Sequence, residues 1–156
     1  MSRAEESEPV VLAGRYRLLE ALATGGMATV YLARQRGRAG FARTVAIKRM
    51  HPHFAGQHDF KALFIDEARL AARITHPNVV QTYEVGRVDG RHFIAMEYLQ
   101  GVSLDRVLVR ATDRGEPLSP LVAASILIDV LDALHQVHEL RDFDGSPLHV
   151  VHRDVS

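Results

Sequence analysis

Between Tyr16 and Leu99 the chain carries five short runs suited to extended structure, and a run of helical period interrupts them after the third. That order constrains the fold more than any other feature. "YRLLEALA" and "TVYLARQR" are rich in β-branched and aromatic residues and are separated by "TGGM", a turn signal. "TVAIKRM" is a third strand, and "MHPHFAGQH" reads as a loop. "DFKALFIDEARLAARI" repeats its apolar residues at three- and four-residue spacing, which predicts a helix. "VVQTYEVGRV" and "RHFIAMEYL" meet at Asp89-Gly90, a strong short-range hairpin signal. Beyond them "GVSLDRVLVRATDRGEPLSP" reads as a short helix and a loop. "LVAASILIDVLDALHQVHEL" reads as a long helix, apolar on most faces and expecting neighbours on several sides. The expected class is α+β: a five-stranded antiparallel sheet with one helix, then the start of a helical region.

Composition removes several alternatives. Nineteen basic and nineteen acidic residues balance, so no nucleic-acid partner is indicated. The absence of cysteine excludes a disulfide framework and a cysteine zinc site, and it fits a reducing, cytoplasmic location. The opening "MSRAEESEPV" is acidic and resembles neither a signal peptide nor a spanning segment, so residues 1–14 are read as a disordered tail. "LVAASILIDVLDAL" is interrupted by Asp129 and Asp132 and is too short to span a bilayer, so no membrane segment is expected. His51 with His53, and His149 with His152, lack an accompanying carboxylate pattern, so no metal site is expected.

Glu67 is the first residue with chemical interest. Phe60, Leu63, Phe64, Leu70, Ala71 and Ile74 form one helical stripe, and Glu67 falls in its middle. A carboxylate on an inward face needs a positive partner. Lys48 is the candidate, since Ala46 and Lys48 share one face of the third strand and Val45 and Ile47 the other. Alanine beside lysine leaves space for a flat ligand. A rim glutamate and a surface lysine are the commoner arrangement, because charged residues are usually solvated. The turn in "LATGGMATV" can bring backbone N–H groups close to a phosphate, or it can be an ordinary hairpin loop.

Taken in order, these parts resemble the front half of a eukaryotic-like protein kinase of the bacterial serine/threonine type. The matching segments are "LATGGMATV", Val45-Ala46-Ile47-Lys48, Glu67, "HPNVV" at 76–80, "MEYL" and His152-Arg153-Asp154. The resemblance implies a kinase N-lobe over residues 15–98, and a hinge with an incomplete helical C-lobe over 99–156. It implies a nucleotide site formed by Leu22, Ala23, Gly25, Gly26, Ala28, Val30, Ala46, Lys48, Met96, Glu97 and Leu99. Lys48 would hold the α- and β-phosphates of ATP, with Glu67 fixing it. Val30 and Ala46 would roof the adenine, Met96 would be the gatekeeper, and the backbone of Glu97 and Leu99 would meet the adenine edge. Asp154 would accept or orient the proton of the substrate hydroxyl. The implied partners are ATP and a protein bearing serine or threonine.

The family's G-x-G-x-x-G glycines here read Ala23, Gly25 and Ala28, with Gly26 extra, and Ser156 stands where many serine/threonine kinases carry lysine. By the resemblance, the asparagine and Asp-Phe-Gly that hold magnesium fall beyond residue 156. The chain by itself is therefore expected to have little kinase activity, with its long helix short of packing partners. The alternative reading is a non-catalytic nucleotide-binding or kinase-interacting half-domain.

Overall fold

The computed structural model describes residues 10–152, which form two units. One comprises Gln81–Tyr98 together with the chain up to Arg73, and the other Ile74–Val80 together with the chain from Leu99.

The first unit is a six-stranded antiparallel sheet with one long helix. Its strands are β1 (Val11–Leu12), β2 (Tyr16–Thr24), β3 (Ala28–Arg36), β4 (Ala42–Met50), β5 (Thr82–Val88) and β6 (Arg91–Glu97). Their order in the sheet is β1-β2-β3-β4-β6-β5. The helix α1 (His58–Ala71) connects β4 to β5 in sequence. Asp89 and Gly90 both have positive φ, 50° and 77°, as a two-residue hairpin loop requires, and Val88 pairs with Arg91 across it.

The sixth strand corrects the expected count and the expected tail. Val11 and Leu12 pair with Arg17 and Tyr16, and Leu12 is 1% exposed. Ala13 and Gly14 make the turn with positive φ. The acidic residues ahead of Val10 obscured a short apolar run that pairs with β2 and buries Leu12, while Val10 and Val11 stay about half exposed. The expected tail therefore does not extend to residue 14, and its residues 1–9 lie outside the described residues.

Alternation divides the core into two clusters on opposite faces of the sheet. Leu12, Tyr16, Ala33, Val45, Ile47, Phe93 and Ala95 form one. Ala28, Met50 and Ile94 meet Phe64 and Ala68 of α1 in the other. Full burial of a side chain such as Phe64 or Phe93 contributes about 1.5–3 kcal/mol. Glu84 ties the β1–β2 end down, accepting hydrogen bonds from the Tyr16 hydroxyl and the Arg15 guanidinium. Burial, and then the Glu84 carboxylate, push the Tyr16 hydroxyl up to about 12.

The second unit contains α2 (Leu104–Asp113) and α3 (Pro120–His138). Ser119 caps α3 by accepting from the Val122 N–H at 3.3 Å, and Pro120 occupies its first turn. The segment 76–80 groups with these helices rather than with the sheet. The Asn78 N–H donates to His76 Nδ1 at 3.2 Å, which leaves the imidazole proton on Nε2, 3.0 Å from Asp132 Oδ2. Asn78 Nδ2 donates to the Asp129 carbonyl at 3.3 Å. The helix α3 recruits residues on both sides of its apolar run, so by length and composition it is long enough to cross a membrane.

Candidate functional site

Strand register gathers most of the candidate residues on the α1 face of the sheet. One row of directly opposed residues runs Ala23, Val30, Lys48, Ile94 across β2, β3, β4 and β6. The neighbouring row runs Leu32, Ala46, Met96 across β3, β4 and β6. Lys48 is thus flanked by small or aliphatic side chains, with Ala46 nearly buried and Val30 partly so. Such a face is flat, apolar and bounded by one cation.

Lys48 Nζ donates to Glu67 Oε1 at 2.6 Å. It also lies 5.7 Å from the centre of the Phe64 ring, within cation–π range. Glu67 does not occupy the inward stripe that its spacing suggested. Phe64 and Ala68 are the buried residues of α1, and Leu63 is 62% exposed. The helix is rotated so that Glu67 sits at the border of its packed face, with its side chain 57% exposed, where it reaches Lys48. A pair this open to water is worth about 0–1 kcal/mol, so its effect is to aim the ammonium rather than to hold the fold.

The glycine turn joins β2 to β3. The Gly25 N–H donates to the Ala28 carbonyl at 2.9 Å. A Cβ on Gly25 would meet only that carbonyl oxygen, at 3.7 Å, and one on Gly26 would meet nothing. Ala23 and Ala28 occupy the flanking glycine positions without positive φ, and Leu22, at the β2 irregularity, is 43% exposed.

His51 is a contributor that sequence reasoning missed. Its backbone N–H donates to the Met27 carbonyl, and its Nε2 lies 3.0 Å from the Gly25 carbonyl. A carbonyl only accepts, so Nε2 carries the proton in this contact. The loop after β4 is thereby fastened to the glycine turn. The His51 and His53 rings stack with centroids 5.6 Å apart. Among the described residues, no three or more His, Cys, Asp or Glu side chains gather as a metal site.

The remaining candidates are less unified. Glu97 lies opposite Val45, and its N–H donates to the Gln81 carbonyl at 2.9 Å, so that N–H is not available to a ligand. Leu99 is 60% exposed and opens the second unit. Asp154 lies outside the described residues.

A family model for the protein kinase domain matches residues 16–156. The chain is 47% identical over 144 residues to the tyrosine-protein kinase MasK of Myxococcus xanthus, covering 92% of this chain and 22% of that protein. It is 34% identical to the serine/threonine-protein kinase PrkC of Bacillus subtilis, covering 92% and 20%. It is 36% identical to the serine/threonine-protein kinase PknH of Mycobacterium tuberculosis, covering 99% and 22%. The solved PknI kinase domain of Mycobacterium tuberculosis superposes with a TM-score of 0.63 at 29% identity, over 85% of this chain and 51% of that one. The chain thus spans about a fifth of the curated relatives it matches.

Proposed function

The chain belongs to the protein kinase domain family, and from that premise we propose that the protein carrying it transfers the γ-phosphate of ATP to serine or threonine hydroxyls of a protein substrate. The observation that carries this reading is the Lys48–Glu67 contact at 2.6 Å, beside the small face of Ala46 and Val30. Phosphoryl transfer is catalysed chiefly by positioning and charge neutralisation. A lysine held in one place by a carboxylate can offer its remaining donors to the α- and β-phosphates. The adenine would lie against Val30 and Ala46, near Met96. The glycine turn would cover the phosphates, since neither Gly25 nor Gly26 crowds the space around it. Asp154 would take up or orient the hydroxyl proton. Magnesium would neutralise the developing phosphate charge, and we assign its ligands to positions beyond residue 156. The reading carries an ATP-containing, cytoplasmic location for the domain.

A second acceptor is favoured by one observation: the relative at 47% identity bears the name of a tyrosine kinase. Phosphoamino-acid analysis of products made by the protein carrying this chain separates the two. Phosphoserine or phosphothreonine, lost in Lys48→Met, is the expected result. Phosphotyrosine would move the assignment to a tyrosine acceptor. Nucleotide binding without any phosphorylated product would support the non-catalytic alternative.

A further inference from the structure

Three arginines cluster at the far end of the β2–β3 ladder from the glycine turn. Arg17 on β2 stands directly opposite Arg34 on β3, and Arg36 follows two residues on, on the same face. Like charges directly opposed across strands destabilise a sheet, a cost that a bound anion would remove. Nearby, Arg15 binds Glu84, and Arg43 donates to Gln35 Oε1 at 2.5 Å and stacks on Tyr83. Among the described residues, no carboxylate ion-pairs with Arg17, Arg34 or Arg36.

The cluster also has a shape. Arg17, Arg34 and Arg36 line a concavity of about 500 Å³ with Leu19 and Phe41, which are 52% and 62% exposed. Among the described residues no carboxylate lines it. Backbone hydrogen bonds fix its walls. The Gly37 N–H donates to the Phe41 carbonyl at 2.7 Å, and a Cβ on Gly37 would lie 3.1 Å from Phe41 Cδ1, so the ring rests on the glycine. Ala39 and Gly40 turn that loop with positive φ, 55° and 77°. The Arg36 N–H donates to the Arg15 carbonyl at 2.8 Å. The hollow thus has a cationic wall on two strands and an apolar wall on a closed loop.

An occupant must be anionic at one point and apolar beside it. Directly opposed residues on antiparallel strands lie about 4.5–5.5 Å apart, so both guanidiniums can reach one small anion. A phosphomonoester carries a charge of about −1.5 to −2 on three acceptor oxygens, enough to answer two guanidiniums at once. A carboxylate carries one. An anionic membrane or a nucleic acid suits an extended basic face, whereas these cations are confined to a hollow beside Leu19 and Phe41, in a chain of balanced charge. We propose that Arg17, Arg34 and Arg36 dock a phosphorylated serine or threonine of a protein, with an apolar neighbour of that residue against Leu19 and Phe41. The choice of a phosphopeptide rests on the phosphotransfer reading above, in which such a peptide is the product. Val30, Leu32, Arg34 and Arg36 alternate onto one face of β3, so the hollow shares the nucleotide face, with Arg34 roughly 13 Å along the strand from Val30. A protein phosphorylated once would be retained there for transfer to a second hydroxyl.

The test is a fluorescence-anisotropy titration of the chain with a short labelled peptide carrying phosphothreonine between two leucines. Its unphosphorylated form should bind at least roughly tenfold more weakly, and Arg17→Gln/Arg34→Gln should cost the phosphopeptide a similar factor. Exchanging the leucines for serines should weaken binding to the wild-type chain and make no difference to Phe41→Ser. Equal binding of the two forms, or affinity unchanged in the arginine variant, would overturn the proposal. So would inorganic phosphate binding as tightly as the peptide, which marks a free-anion site, or displacement of the peptide by phosphatidylserine vesicles. Lys48→Met should leave docking intact, which separates the two readings. Docking by a protein that transfers no phosphate would sink the phosphotransfer reading alone, and transfer without docking would sink this one alone. Should the arginine variant not fold, the guanidinium Nε–Hε NMR signals of Arg17, Arg34 and Arg36 decide on the native chain. They should shift with the phosphopeptide and not with its unphosphorylated form, and unchanged signals would overturn the docking.

Discussion

Replacing Gly86 by alanine isolates the packing that fixes the sheet. Gly86 lies directly opposite Phe93 on the β5–β6 ladder. A Cβ built there would sit 2.4 Å from Phe93 Cζ and 2.5 Å from its Cε1. The ring cannot yield easily, since Phe93 is 1% exposed and packs edge-on against Tyr16 with centroids 5.7 Å apart. Alanine would ordinarily strengthen a strand by about 0.5–1 kcal/mol relative to glycine, by lowering the entropy of the unfolded chain. Overpacking opposes this with about 1–3 kcal/mol. The overlap spans two ring atoms at well under contact distance, so the upper half of that range applies and the net loss is about 1–2 kcal/mol. At about 4–8 °C per kcal/mol for a unit of this size, the melting midpoint should fall by roughly 5–15 °C. Gly26→Ala is the control, because its Cβ meets nothing and its φ is not left-handed. Urea and thermal unfolding of both variants provide the comparison. A Gly86→Ala chain as stable as wild type would refute the claim that Phe93 is held rigidly over the glycine.

Three further outcomes follow from the same geometry. Glu67→Gln should change unfolding free energy by less than about 1 kcal/mol, because the Lys48 pair is solvent-exposed, while weakening ATP binding more than that. Parallel urea unfolding and nucleotide titration check the split. Tyr16 ionises with difficulty in the folded state, so its contribution to stability is complete below pH 10 and is lost as pH rises toward about 12. The loss should reach about 2–3 kcal/mol and be missing from Tyr16→Phe, as denaturation at a series of alkaline pH values would report. His51→Phe should free the glycine turn from its Gly25 contact and raise the KM for ATP, with sheet stability held within about 1 kcal/mol of wild type.

Local patterning made much of this legible. Period-two alternation at Val45-Ala46-Ile47-Lys48 separated the two faces of β4, and Asp89-Gly90 announced its hairpin. The Lys48–Glu67 contact was anticipated from a lone carboxylate in a helical stripe, although Glu67 proved to be exposed at the edge of that stripe. What escaped depended on long-range register or on single contacts. No local signal places β6 rather than β5 beside β4, because that pairing is set by the excursion through α1. The strand Val11–Leu12 is too short to register against its acidic approach. The hold of His51 on the glycine turn is a backbone-directed hydrogen bond, and backbone acceptors leave no mark in a sequence.

The central claim is that the Lys48 face of the sheet is a nucleotide site. Titration of the chain with ATP, followed by the backbone amide NMR signals of Gly25, Gly26, Val30 and Ala46, tests it most directly. The account predicts saturable shifts at those four positions and their loss in Lys48→Met with the fold retained. Shifts confined to other residues, or shifts that survive Lys48→Met unchanged, would contradict it.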